Sequence, residues 1–328
     1  MRKKVKILAL LMALALLVGC GPVAEVKTDS KGDYFLTSEM DEGTKKEIDT
    51  IIDAFQAALT EKDASKIEEF LDKDFAVGES ELNAFFAEAT AGGKDEYRVF
   101  DTYYVDGIKD DGITVRIKKS EDSADYIMVT PGSEELCAVL LASQSEDVSQ
   151  MITLLIGDVS GGRKIVWIDT ADYSYYGKTA PEYYDLAKKA KDDKREFSAY
   201  IYAQMMYGTS QPGNLYYYAE TDDMIDYAHE ISAWGQDKFP MEVGNRKIHA
   251  INTELVNFAV VPMILYQTDA DIGTEEFKAD AEALKDAFIR QYPYIAEDFD
   301  RIVIRGTNAD PQTASEQFDS EKVEFELK

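Results

Sequence analysis

Apolar positions change rhythm along the chain. Residues 7–18 are twelve apolar residues in a row, preceded by Arg2, Lys3, Lys4 and Lys6. A bilayer crossing needs roughly 20 such residues, so this run has the length of a signal-peptide core and not of a membrane span. Residues 21–43 show no sustained period and are rich in Gly, Ser, Asp and Glu, which predicts a flexible tether. From Thr44 the spacing becomes helical through Ile48, Ile51, Ile52, Phe55, Ala58 and Leu59. A short second helix follows through Ile67, Phe70 and Leu71, and a third through Leu82, Phe85, Phe86 and Ala89 up to Gly92-Gly93.

The period then shifts. "EYRVFDTYYVD", "GITVRIKK", "DYIMVT", "LCAVLLAS", "SQMITLLIGD" and "RKIVWIDT" are short runs rich in β-branched and aromatic residues, separated by Gly, Asp, Ser and Pro. They predict an antiparallel meander, with hairpin turns at Asp110-Asp111-Gly112 and Ser160-Gly161-Gly162. Next comes "YGKTAPEYYDLAKKAKDDKREFSAYIYAQMMYG", in which Thr179 and Glu182 form a capping box and Pro181 occupies the first turn. Ala187 and Ala190 on one helix, with Ala199 and Ala203 on the next, would let the two approach closely. One such pair is short of the three or so units a helical solenoid needs, so a simple hairpin is predicted. The remainder predicts a helix over 222–234, strands in "KIHAINTEL" and "NFAVVPMILYQT", an amphipathic helix carrying Phe277, Ala281, Leu284, Phe288 and Tyr292, and closing strands in "DRIVIRGT" and "VEFELK". Pro262 marks part of its strand as an edge or bulge.

The fold class expected is therefore α+β: helices on a curved, cone-like antiparallel sheet, a helical hairpin, then a second, smaller α+β unit. The segments are 1–19 signal peptide, 20–43 lipid-bearing Cys and tether, 44–171 first domain, 172–219 tyrosine-rich hairpin and 220–328 second domain. Two resemblances add to this. Leu17-Val18-Gly19-Cys20 is similar to the bacterial lipobox, which implies diacylglyceryl transfer to the Cys20 sulfur, cleavage before Cys20 and further acylation of the new amino group. Two or more chains make a durable anchor, at about 0.8 kcal/mol per buried methylene. An ordinary secretory signal cut after Gly19 would instead leave Cys20 a free thiol. The order and lengths of elements over 44–171 resemble the nuclear transport factor two-like, or cystatin-like, superfamily, which implies helices lying across a curved sheet and, in some members, isomerase or dehydratase chemistry in the cone.

Charge narrows the partners. The net charge is -28, and loss of residues 1–19 takes four positive charges and no acid, giving -32. A nucleic-acid partner is not expected, because binding phosphate needs a basic footprint and the chain outside the signal is strongly acidic. With Cys20 lipidated, Cys137 has no partner in the chain, and its apolar run predicts a buried, inert thiol. Neither His229 nor His249 belongs to a metal or catalytic motif. Asp269, Asp271 and Glu275 around Gly273 depart from a calcium loop and predict an acidic turn before a helix. No motif implies a catalytic residue, a cofactor or a metal.

Tyrosine is the uneven feature: twelve of the twenty lie between Tyr173 and Tyr227. Such rings suit a seam between units and equally a recognition surface. Tyr183 is expected in the seam. Tyr175, Tyr176, Tyr216, Tyr217 and Tyr218 are the candidate binding surface, for a protein, peptide or sugar ligand. The first reading is thus a non-enzymatic lipoprotein on the extracytoplasmic face of the cell membrane, its partners the membrane through Cys20 and an unassigned ligand. The alternative is a small-molecule enzyme, isomerase- or hydratase-like, with a pocket in the first domain. Cys20→Ser should abolish incorporation of labelled palmitate and leave the precursor unprocessed; equal labelling of that variant would defeat the lipoprotein reading.

Overall fold

A computed structural model describes residues 33–75, 77–91, 96–107, 113–118, 124–130, 135–311 and 320–328. Cys20, the signal segment, the helix end expected at Gly92-Gly93 and the turn expected at Asp110-Asp111-Gly112 lie outside the described residues. The chain is α+β.

Order begins earlier than the tether reading placed it. A short strand β1 (Asp33–Leu36) pairs antiparallel with β2 (Tyr97–Asp106). Four residues carry too little pattern to stand out, and the ladder on β2 organises them. Helix α1 (Glu42–Glu61) follows; the Asp41 carboxylate accepts from the Gly43 and Thr44 N–H groups at 2.9 and 3.1 Å. The second expected helix is a 3-10 helix (Ala64–Phe70), and the third is α2 (Glu79–Ala89).

Strands β5 (Glu135–Ser143), β6 (Val148–Val159) and β7 (Gly162–Tyr175) complete an antiparallel sheet in the order β1-β2-β5-β6-β7. One of its faces meets α1, the 3-10 helix and α2: Cys137, Val139, Leu141, Ile152, Leu154 and Ile156 share a core with Ile48, Phe55, Leu59 and Phe86. Arg163 on β7 locks this side by donating to Glu47 of α1 at 2.6 Å and to Glu135 of β5 at 2.7 Å.

The opposite face is buried as well. Residues 136–142 of β5 are all buried, so their alternating side chains meet apolar neighbours on both sides. Leu136, Ala138, Leu140, Met151 and Leu155 belong to one continuous core that takes side chains from each of the remaining segments. Here the meander expectation is corrected. β3 (Ile113–Ile117) and β4 (Tyr126–Thr130) leave the five-stranded sheet and form a separate one with β8 (Tyr216–Tyr218). The rings decide this pairing: Tyr126 stacks on Tyr216 and Tyr218 with centroids 4.4 and 4.7 Å apart.

Helices α3 (Ala180–Asp192) and α4 (Glu196–Thr209) form the expected hairpin, with Ala187, Ala190, Ala199 and Ala203 buried. The Thr179 N–H donates to the Glu182 carboxylate at 2.8 Å, which starts α3. Then come α5 (Thr221–Lys238), β9 (Met241–Val243), β10 (Arg246–Val256), β11 (Ala259–Gln267), α6 (Glu275–Gln291), α7 (Tyr294–Asp298), β12 (Arg301–Thr307) and β13 (Ser320–Glu326). The second sheet runs β13-β12-β11-β10-β9, parallel only between β11 and β12. Phe277, Ala281, Leu284 and Phe288 of α6 are buried in the shared core with Ile264, Ile302 and Ile304 of the sheet.

Gly306 on β12 is held by contact and not by turn geometry. A Cβ there would lie 2.3 Å from the Phe277 ring and 3.0 Å from the Tyr266 ring, and both rings are fully buried. Gly306→Ala should therefore lower unfolding stability by about 1–3 kcal/mol through overpacking; a urea midpoint equal to that of the parent chain would contradict this packing.

Candidate functional site

The candidate site is a groove of about 510 Å³ where the first sheet, the helical hairpin and the second sheet meet. It begins where β7 ends. Tyr175 and Lys178 exchange backbone hydrogen bonds at 2.9–3.0 Å around Tyr176 (φ 50°) and Gly177 (φ 67°), both left-handed, as a two-residue type I′ turn requires. Glycine adopts that conformation freely, whereas a bulky tyrosine does so at a cost of about 1–2 kcal/mol. The Tyr176 N–H also donates to the Asp147 carbonyl at 2.8 Å, fixing the turn against the start of β6. The Tyr176 side chain is left 36% exposed on the groove wall.

Helix α3 supports the turn from inside. Tyr183, 2% exposed, donates its hydroxyl to the Tyr175 carbonyl at 2.7 Å. Tyr202 on α4 lies 6.1 Å from the Tyr183 ring and 5.1 Å from Phe299. The far wall is residues 297–301. Asp298 holds it against α4 by accepting from Arg195 at 2.9 Å and Ser198 at 2.6 Å, and Arg301 pairs with Glu324 at 3.1 Å while reaching the Tyr176 hydroxyl at 3.5 Å. Burial raises the Tyr176, Tyr183 and Tyr202 hydroxyls above the ordinary tyrosine range, so all three remain neutral donors and acceptors. Burial works against the Arg301 charge, but the Tyr176 oxygen and Glu324 outweigh it and keep the guanidinium charged. Four carboxylates (Asp147, Glu297, Asp298, Asp300) and two cations (Lys178, Arg301) line the groove.

The structure separates the tyrosines singled out in the sequence. Of the five candidate binding-surface tyrosines, Tyr176 alone lines the groove, and Tyr183, expected in the seam, reaches it from inside. Tyr175 is buried and donates to Asp172 at 2.8 Å. Tyr216 and Tyr218 are buried at 0% and 1% exposure, while Tyr217 between them is half-buried, as strand alternation dictates. Two rings of the 216–218 run are thus packing, and Tyr217 is left partly exposed. Missing from the sequence reading were Tyr202, Asp147 and residues 297–301. The density of tyrosines pointed towards the first, but nothing local marks the others.

The remaining candidates are structural in their surroundings. Cys137 is buried in β5 and desolvation pushes its thiol well above the ordinary range, so it stays protonated. His229 is exposed on α5. His249 is buried at a register shift in β10, with Nδ1 3.7 Å from Asp310, and burial lowers its pKa. The Thr274 hydroxyl accepts from the Phe277 N–H and so starts α6 beside the acidic turn. Among the described residues no group of three or more metal-ligating side chains converges, and no helix is long and apolar enough to cross a membrane.

Comparison with protein-family models, with curated proteins and with solved structures returns no match to this chain. Its class rests on the architecture above: an α+β protein with two five-stranded sheets joined through a tyrosine-rich core.

Tyr183 and Tyr176 should respond to truncation with losses of very different size. Tyr183→Ala removes a buried ring and its hydrogen bond and should cost about 3–5 kcal/mol, while Tyr176→Ala at the exposed wall should cost about 0.5 kcal/mol or less. Urea unfolding of the two variants measures the difference, and similar losses would erase the distinction between support and wall.

Proposed function

We propose that this protein is a non-enzymatic binding lipoprotein, held on the extracytoplasmic face of the cell membrane through lipid at Cys20, and that it captures its ligand in the groove lined by Tyr176 and Tyr202. The observation that carries the reading is the groove itself. It is a concave site at a junction of units, with aromatic walls, neutral hydroxyls and a few placed charges, as small-ligand and peptide sites tend to be. The lipid address is supported by the basic residues, the twelve-residue apolar run and the Leu17–Cys20 pattern.

The order of helices followed by antiparallel strands supports the cone-like resemblance of the first domain. The enzyme alternative draws less support. It needs space between the sheet and the helices lying across it, and that side is filled by Val139, Leu141, Ile152 and Leu154 packed against Ile48, Phe55 and Phe86.

Chemical-shift mapping on the full chain in detergent micelles tests the groove. The probes are a capped pentapeptide of alternating valine and lysine, its valine–glutamate counterpart, and chitotetraose. At least one should shift the Tyr176, Tyr202 and Arg301 resonances and leave those of the exposed Trp167 unmoved. If none shifts them, the groove is not the binding site.

A further inference from the structure

One wall of the groove is formed by Val260, Val261 and Pro262, three consecutive residues of β11. Successive side chains of a strand point to opposite faces of the sheet, so a cavity touched by three in a row is touched by the strand's edge. That edge is open. β11 pairs with β10 from Ala259 onwards, but its ladder to β12 starts only at Met263, opposite Val303. Among the described residues no strand is paired with the groove side of residues 259–262.

The direction of the backbone groups follows from the partners. Pro262 has no N–H and lies opposite Thr253, whose own N–H donates to the Gln204 side chain at 2.8 Å. The 253–262 pair is therefore a non-hydrogen-bonded pair of the antiparallel ladder, and polar groups alternate in direction along the strand. Val260, two residues earlier, then points its N–H and C=O away from β10 and into the groove. An extended segment laid along this edge would find one donor and one acceptor already aligned, which is how peptides add to open sheets.

Charge selects the kind of segment. Of the lining carboxylates, Glu297 and Asp298 are paired with Arg195, and Asp300 with Lys328. Asp147 is half-buried, lines the groove and has no ion-pair partner among the described residues; the lining cation Lys178 is likewise without an ion pair there, but it is solvent-exposed, so its charge is the more strongly screened of the two. Tyrosine faces next to an unmatched carboxylate favour an ammonium or guanidinium group.

The geometry points to an extended peptide segment bearing lysine or arginine as the occupant, its backbone added to β11 at Val260 and its cation set beside Asp147. This rests on the groove being the binding site and goes further by naming the ligand class.

Binding of the same three probes to the full chain in micelles, with hydrogen exchange read at the Val260 amide, decides the matter. The lysine peptide should bind at least about tenfold more tightly than the glutamate peptide, a combined effect of more than one charge contact. Asp147→Asn should weaken it about fivefold, the size of one partly exposed ion pair, and exchange at Val260 should slow when the lysine peptide is added. Equal binding of the glutamate peptide, or an unchanged Val260 exchange rate with the lysine peptide bound, overturns the assignment. A response of the groove to chitotetraose and to neither peptide would overturn it too, yet leave the groove as the binding site. Silence towards all three probes removes both.

Discussion

Burial of the first sheet on both of its faces is the constraint from which the rest of the architecture follows. β5 presents apolar side chains alternately to each side, so a layer of helices on one face leaves the other in need of an equal cover. α1, the 3-10 helix and α2 meet the first need. The second is met by the hairpin α3–α4, by the small sheet of β3, β4 and β8, and through them by the second five-stranded sheet, all within one core. The parts that read as separate units along the chain are therefore held together by a shared apolar surface. The groove lies at the rim of that surface, where the first sheet, the hairpin and the second sheet meet.

Tyrosine suits such a seam because the ring fills volume while the hydroxyl finds an acceptor at the boundary. This chain provides acceptors in abundance. Tyr103 donates to Asp101 at 2.6 Å, Tyr175 to Asp172 at 2.8 Å and Tyr266 to Asp280 at 3.1 Å. Part of the acidic surplus thus satisfies buried phenols and does more than keep the surface soluble. Asp280 shows the balance of forces. Burial would raise its pKa, but Arg246, Thr268 and Tyr266 donate to it and hold it below the usual carboxylate range.

The two sides of the β10–β11 pair are treated differently. On the outer side of β10, beyond its short pairing with β9, the Gln204 amide stands in for a missing strand: its Nε2 donates to the Ile251 carbonyl at 3.3 Å and its Oε1 accepts from the Thr253 N–H at 2.8 Å. Covering an edge in this way blocks unwanted pairing. On the groove side of β11 no such cap stands at Val260 among the described residues.

Local features were legible in the sequence because their causes are local. The Thr179–Glu182 capping box, the spacing of Ile48, Phe55 and Leu59, and the spacing of Phe277, Leu284 and Phe288 depend on residues within a turn or two of one another, and each marks a helix in the structure. The α+β class followed from the same periodicities, and the expected lipid address from a contiguous run of residues. The partners of β3 and β4 were not legible, since "GITVRIKK" and "DYIMVT" carry the same strand propensity whether they pair with β2 or with a tyrosine strand some 90 residues away. Nor was the fate of individual tyrosines: Tyr175 and Tyr176 are adjacent and chemically identical, yet a left-handed turn buries one and exposes the other. Sequence by itself determined which segments form helices and strands, through periodicity and capping. Only tertiary packing decided which faces meet and so where a groove remains, because non-local contacts are selected by complementary shape and burial, which no short stretch of chain contains.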